Sequence, residues 1–230
     1  TYMGSWSKSS ERENGSIDPV AFERKFDDGD DLGISFDYSN PRRTAYSITA
    51  GQDVFLDPTE YEFDKAERTT LSDSQDEEWA IKADISRSFA MATGEFTIQA
   101  GGKARWRTKS YNSTYDIYDG YEGDLTLADV LGTQDYDLAS IDPVPAKKSF
   151  RNFFNDNLAS FELDEGDSWQ GSNEEDYSVD EDIQAAYLLG RWDSTTLRVI
   201  GGVRMEHTKN DITGNLLAID NRTLTVLNFK

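Results

Sequence analysis

The sequence predicts an all-β chain of antiparallel strands, and two observations predict it. Several stretches place apolar side chains at every second position, the period of a strand rather than a helix. Tight turns join some of these stretches, whereas one connection is far longer than a compact soluble domain usually carries. A third feature, strands long enough to cross a bilayer, turns the prediction towards an antiparallel transmembrane β-barrel segment with long extracellular loops.

The clearest strand is "TLRVIGGVRMEHTKND" (195–210). Leu197, Val199, Gly201, Val203 and Met205 share one face; Arg198, Gly202, Arg204, Glu206 and Thr208 share the other, with Ile200 the exception. The same separation holds in 94–109, where Phe96, Ile98, Ala100, Gly102, Ala104 and Trp106 oppose Thr97, Gln99, Lys103, Arg105 and Arg107. In 77–89, Trp79, Ile81, Ala83 and Ile85 oppose Lys82, Asp84 and Ser86. In 181–192 the apolar face is expected to hold Ile183, Ala185, Tyr187 and Leu189. Further strands are expected at 2–12, which is polar, at 31–39, where Leu32, Ile34, Phe36 and Tyr38 alternate with Gly33, Ser35 and Asp37, at 61–70, which fades into charge, and at 223–229.

"AMATG" (90–94) and "DSTT" (193–196) read as tight turns, and the link from 94–109 to 181–192 is some seventy residues long. Short turns at one end and long loops at the other are the habit of an outer-membrane barrel. Within the link, "DLTLADVLG" (124–132) reads as a short helix with Asp124 as N-cap. In 147–161, Phe150, Phe153, Phe154, Leu158 and Phe161 fall at helical spacing. The run 162–182 then holds ten acids and no base. An acid-rich loop offers oxygen ligands to calcium, but the spaced D-x-[DN]-x-[DN]-G pattern is missing.

Composition limits the function classes. With 44 acidic and 23 basic residues the net charge is −21, the wrong sign for a nucleic-acid partner. There is no cysteine, so disulfides and thiolate metal sites are excluded. HExxH, G-x-S-x-G and Walker sequences are missing. The single histidine, His207, adjoins Glu206, and neighbours on a strand point to opposite faces. The chain is therefore expected to be no enzyme and to need no cofactor or metal. Both ends, Thr1 and Lys230, read as strand interior, so residues 1–230 are expected to be one partial barrel domain of a longer protein.

The stretch "EDIQAAYLLGRWDSTTLRVIGGVRMEHTKNDITGN" (181–215) resembles the barrel of TonB-dependent outer-membrane receptors. Glu181 and Asp182 open one strand, a short turn follows Arg191, and Gly202, Val203, Arg204, Glu206 and Thr208 carry the next. Residues 61–89, followed by a lysine-and-glycine strand, are similar to an earlier part of the same barrel. The resemblance is to the large subfamily often associated with carbohydrate or other non-siderophore uptake, and is weak at 1–60 and 112–176. It implies a part of a barrel of roughly 22 strands, without the plug that contacts TonB and without the closing aromatic strand. It further implies location in the outer membrane of a Gram-negative bacterium, with lipid, TonB and a small-molecule or oligosaccharide solute as partners.

On that reading Lys103, Arg105, Arg198 and Arg204 face the lumen, and 112–176 is a long extracellular loop. Gly201 would face lipid or an adjacent bulky side chain, and Gly202 the lumen, letting the plug or a neighbour approach closely. Arg151, Phe153, Asp167 and Trp169 are the substrate candidates in the outer loop. A bland solvated loop whose aromatics pack on one another stands beside that assignment. Two other readings remain open from sequence: a soluble secreted β-sandwich that binds glycans, and a passive porin.

Overall fold

The computed structural model describes residues 1–26, 32–42, 44–134, 136, 141–218 and 221–229. The expected strand start at Asp31 and the chain end at Lys230 lie outside them. The strands are β1 (Tyr2–Glu13), β2 (Ile17–Glu23), β3 (Gly33–Asp37), β4 (Ala45–Ala50), β5 (Glu62–Met91), β6 (Gly94–Tyr121), β7 (Phe161–Asp164), β8 (Tyr177–Asp193), β9 (Arg198–Ala218) and β10 (Thr223–Phe229). Among the described residues the α-helices between them are α1 (Gln52–Phe55), α2 (Lys147–Asp156) and α3 (Glu165–Glu174). No helix among the described residues is long and apolar enough to cross a membrane.

The chain forms two compact units, the first from 1–14, 70–114 and 169–230, the second from 15–69 and 115–168. In the first unit the strand order is β1-β5-β6-β8-β9-β10, and β1 with β5, β6 with β8, β8 with β9 and β9 with β10 pair antiparallel. Each of the two outermost strands, β1 and β10, has a single partner strand in this unit among the described residues. The expected strands at 61–70 and 77–89 are one continuous strand of 30 residues, β5. Two residues, Ala92 and Thr93, turn β5 into β6, and Ser194–Leu197 turn β8 into β9. Glu95 lies opposite Asp193, and Asp193 opposite Arg198, so both turns sit at one end of the sheet. The long connection leaves from the other end, beyond the Tyr111–Tyr177 pair.

Side chains directly opposite one another share a face. One face therefore collects Phe96, Ile98, Ala100, Gly102, Ala104 and Trp106 of β6; Trp192, Gly190, Leu188 and Ala186 of β8; and Val199, Gly201, Val203 and Met205 of β9. The contact of Ser88 with Thr97 at 2.8 Å fixes the parity of β5, which adds Trp79, Ile81, Ala83, Ile85, Arg87 and Phe89 to that face, with the Arg87 guanidinium over the Phe89 ring. Ile81, Val199, Val203 and Met205 are exposed on it, at 55%, 52%, 69% and 78%.

The sequence expectation for β8 is reversed. Ile183, Ala185, Tyr187 and Leu189 lie opposite Arg105, Lys103, Gly101 and Gln99, on the polar face. Both alternate sets of β8 are largely apolar, so periodicity could not choose between them, and the partner strands decide.

The second unit has the buried core. Phe154 (0% exposed), Phe150 and Val130 are its most enclosed large side chains, with Ile17, Ala66, Tyr118, Leu125, Leu127 and Phe161 around them. Phe161 is its hub: its ring lies 4.6 Å from Phe154, 4.9 Å from Tyr121 and 5.2 Å from Phe63. The expected helix at 147–161 forms as α2 over Lys147–Asp156, and buries Phe150 and Phe154, one turn apart. It stops short of Phe161, which opens β7 and pairs with Tyr121. The segment 112–176 is thus no simple loop: β6 runs on to Tyr121 at one end, and α2, β7 and α3 follow.

The N-cap expected at Asp124 is Thr126. The short 3-10 helix Leu127–Val130 is closed by a capping box, in which Asp129 accepts from the Thr126 backbone N–H at 2.9 Å. In α3, Asp164 accepts from the backbone N–H groups of Gly166 and Asp167 at 2.7 and 2.8 Å, and so satisfies donors that a helix start leaves open.

Candidate functional site

Two surfaces hold the polar side chains that sequence singles out: the polar face of the first unit, and the surface of the second.

On the polar face, β5, β6 and β8 meet around Gly101. Tyr187 donates its hydroxyl to Asp84 Oδ1 at 2.6 Å, and Gln99 Nε2 donates to the Tyr187 oxygen at 2.7 Å. Lys82 Nζ approaches Asp84 Oδ2 at 3.1 Å. A Cβ on Gly101 would collide with Asp84 and meet Tyr187 Cε1 at 2.6 Å, so the bare backbone is what lets the phenol cross β6. Further along, Arg105 bridges Glu78 and Glu181, and Arg107 holds Asp76 with two donors. The Arg107 hydrogen bonds hold the Asp76 carboxyl below the ordinary carboxylate range.

The four residues expected on the wet face do lie together on the polar face. Lys103 and Arg105 stand opposite Ala185 and Ile183; Arg204 and Arg198 stand opposite Tyr187 and Asp193. Arg198 pairs with Asp193, which also takes Arg191, and Arg204 pairs with Glu206. His207 falls on the apolar face opposite Gln184, so Glu206 and His207 point apart. Gly202 does admit a neighbour, since a Cβ there would meet Leu188 O at 2.7 Å, whereas Gly201 has open space on the apolar face.

The second unit carries 26 acidic and 9 basic residues, a net of −17 out of −21 for the whole chain. Two open cavities of about 340 and 450 Å³ adjoin the start of β5 and share Glu62 and Phe63. Arg24 lines the first, with Nη1 2.7 Å from Glu60 and its guanidinium over the Phe26 ring. Tyr121 and Asp124 line the second. The signal for this region was present in "EYEFD" (60–64), where acids and aromatics alternate and the rings of Tyr61 and Phe63 pack on the core. Burial pushes the Tyr61 and Tyr118 phenols up, and a hydrogen bond from Thr59 pulls the Asp57 carboxyl down.

None of the four substrate candidates lines either cavity. Arg151 is exposed on α2. Phe153 is half-buried against Tyr121, with ring centroids 5.6 Å apart. Asp167 is exposed, 4.0 Å from Lys65. Trp169 is half-buried in α3, and its carbonyl accepts from Asn173. Among the described residues no group of three His, Asp or Glu is arranged to hold a metal ion, the acid run 162–182 included.

Compared with protein-family models, curated proteins and solved structures, the chain matches none.

Proposed function

We propose that the chain is a wall segment of a TonB-dependent outer-membrane receptor, with its apolar face to lipid, its polar face to a water-filled lumen and its second unit outside the cell. The observation that carries this reading is the pair of aromatic rows that bound the apolar face. Trp6 lies opposite Trp79, and the β5–β6 hairpin sets Trp79 beside Trp106. At the turn end the same hairpin sets Phe89 beside Phe96, which lies opposite Trp192. Ten residues separate the rows on β5 and on β6. At roughly 3.3 Å per residue and a strand tilt near 40°, this spans about 25 Å across the membrane, the height of the apolar band of an outer-membrane barrel.

The polar face supports the same reading. It gathers charged side chains, among them the ion pairs of Lys82 with Asp84, Arg105 with Glu78 and Glu181, and Arg204 with Glu206, while large apolar side chains stand exposed on the other side. Closure would need strands beyond β1 and β10, because a barrel removes its edges only by closing. The strong negative charge of the second unit favours a neutral or cationic solute over an anionic one, since like charge repels at the point of entry.

A passive porin would share this wall. Planar-bilayer conductance of the intact protein from outer-membrane fractions separates the two. A receptor is closed at rest and gives no steady current; a porin conducts continuously. Recovery of the intact protein in the soluble fraction, without detergent, would end the membrane reading altogether.

A further inference from the structure

Three of the chain's five tryptophans stand in one rung of the apolar face: Trp6, Trp79 and Trp106. They are 54%, 55% and 41% exposed. One rung further from the turns come Lys8, Glu77 and Thr108, and then Ser10, Gln75 and Ser110. Between β5 and β6 these rungs enclose an open cavity of about 400 Å³, lined by Gln75, Glu77, Trp79, Trp106, Thr108 and Ser110.

The cavity is built. Glu77 Oε1 accepts from the indole N–H of Trp6 at 3.0 Å and of Trp79 at 3.1 Å, so both rings are held in place. Lys8 Nζ lies 3.8 Å from Glu77 Oε2 and balances its charge. Trp6 and Trp79 rest against each other at 5.9 Å, whereas Trp106 has no ring partner and its indole N–H no acceptor among the described residues. Gln75 Nε2 donates to Asp73 Oδ1 at 3.2 Å and Thr108 Oγ1 to Asp180 Oδ1 at 2.6 Å, which leaves the rest of the Gln75 amide and the Ser110 hydroxyl to a ligand. A wall of indole faces with the unused Trp106 donor and these groups suits a neutral ring that has an apolar face and a rim of hydroxyls. That is a sugar. A phosphate would meet the Glu77 carboxylate, and an aliphatic chain would leave the Trp106 indole N–H and the Ser110 hydroxyl unmatched.

We infer that this cavity binds a saccharide, and that its occupant is the sugar headgroup of a glycolipid in the leaflet at the end of the sheet away from the tight turns. The site is on the outside of the wall and separate from any path for the transported solute. The glycolipid source rests on the membrane reading; the saccharide chemistry does not.

The test uses the intact protein in amine-oxide micelles, with tryptophan emission as readout. Dodecyl maltoside is the probe, and dodecylphosphocholine is the chain-matched control. The expected result is a saturable emission change with the maltoside alone, lost in Trp106→Phe and shifted to about tenfold higher concentration in Gln75→Ala, the loss of roughly one good hydrogen bond. An equal response to both detergents, or an unchanged titration in Trp106→Phe, would overturn the inference. Free maltose added to the protein without detergent separates the two claims. A soluble, monomeric protein that binds it through Trp106 would keep the saccharide site and remove the membrane.

Discussion

The Tyr187 hydroxyl reaches across β6 to Asp84, 2.6 Å away on β5, and passes over Gly101 to do so. One side chain of β8 is thereby tied to a strand that is not its direct neighbour, and the register of three strands is fixed at one point. Gly101→Ala would place a Cβ against Tyr187 and within 2.9 Å of the Ala83 carbonyl oxygen, which is backbone and cannot swing away. The expected loss is about 1–3 kcal/mol. Tyr187→Phe removes only the hydrogen bonds and should cost about 0.5–1.5 kcal/mol. Urea unfolding of the refolded protein, followed by tryptophan emission, ranks the two. A Gly101→Ala protein as stable as its parent would show that the phenol does not cross the strand there.

Phe154 and Phe153 are adjacent in sequence and unequal in structure. Phe154 is wholly buried beside Phe161, so Phe154→Ala should cost about 3–5 kcal/mol. Phe153 is half-buried at the edge of the cluster and should cost clearly less. Limited proteolysis within 112–176 reads the difference: rapid cleavage in Phe154→Ala and little change in Phe153→Ala. Equal protection of both variants would mean that the aromatic cluster does not order this segment.

This pair also marks how far sequence reading reached. The helix of α2 was legible because Phe150 and Phe154 sit one turn apart, though Phe161, counted with them by spacing, joins the cluster from β7; Phe63 and Tyr118 reach it from distant strands, which no local period reveals. The faces of β6 and β9 were legible because charge fills one alternate set. β8 was not, because Ile183 and Leu189 are as apolar as Leu188 and Trp192, and Tyr187 spends its hydroxyl on the polar side. The four cationic residues of the polar face were found together for the same reason. The cavities beside Glu62 and between Trp79 and Trp106 were not, since both are made by residues of different strands.

The cap of the short helix Leu127–Val130 gives a third test. Asp124 and Thr126 are both good cap residues by type, but only Thr126 exchanges bonds with Asp129. Thr126→Ala should cost about 0.5–2 kcal/mol, and Asp124→Ala close to nothing. The same denaturant titration compares them; a larger loss from Asp124→Ala would return the cap to the earlier position.

Asp76 should make the sheet sensitive to acid. Its pKa in the folded chain lies below the unfolded value because Arg107 hydrogen-bonds the ionised form. The stabilisation is therefore present above the unfolded carboxylate range and is lost as pH falls through the folded value. Asp76→Asn removes that contribution, so the variant's deficit against the parent should shrink as pH drops from neutral towards the acid range. A deficit that is constant with pH would show that the ion pair carries no weight.

The central claim is that β9 separates lipid from water residue by residue. Single cysteines placed in turn at positions 199–206 of the cysteine-free chain, each carrying a nitroxide, report that directly in lipid bilayers. Collision with oxygen should peak at 199, 201, 203 and 205, and collision with a water-soluble nickel chelate at 198-side neighbours of the polar face, 200, 202, 204 and 206. Two out-of-phase oscillations of period two are the predicted result. Nickel access at every position, or exclusion of both reagents at Val199, Val203 and Met205, would place this face in water or in a sealed protein core and contradict the account.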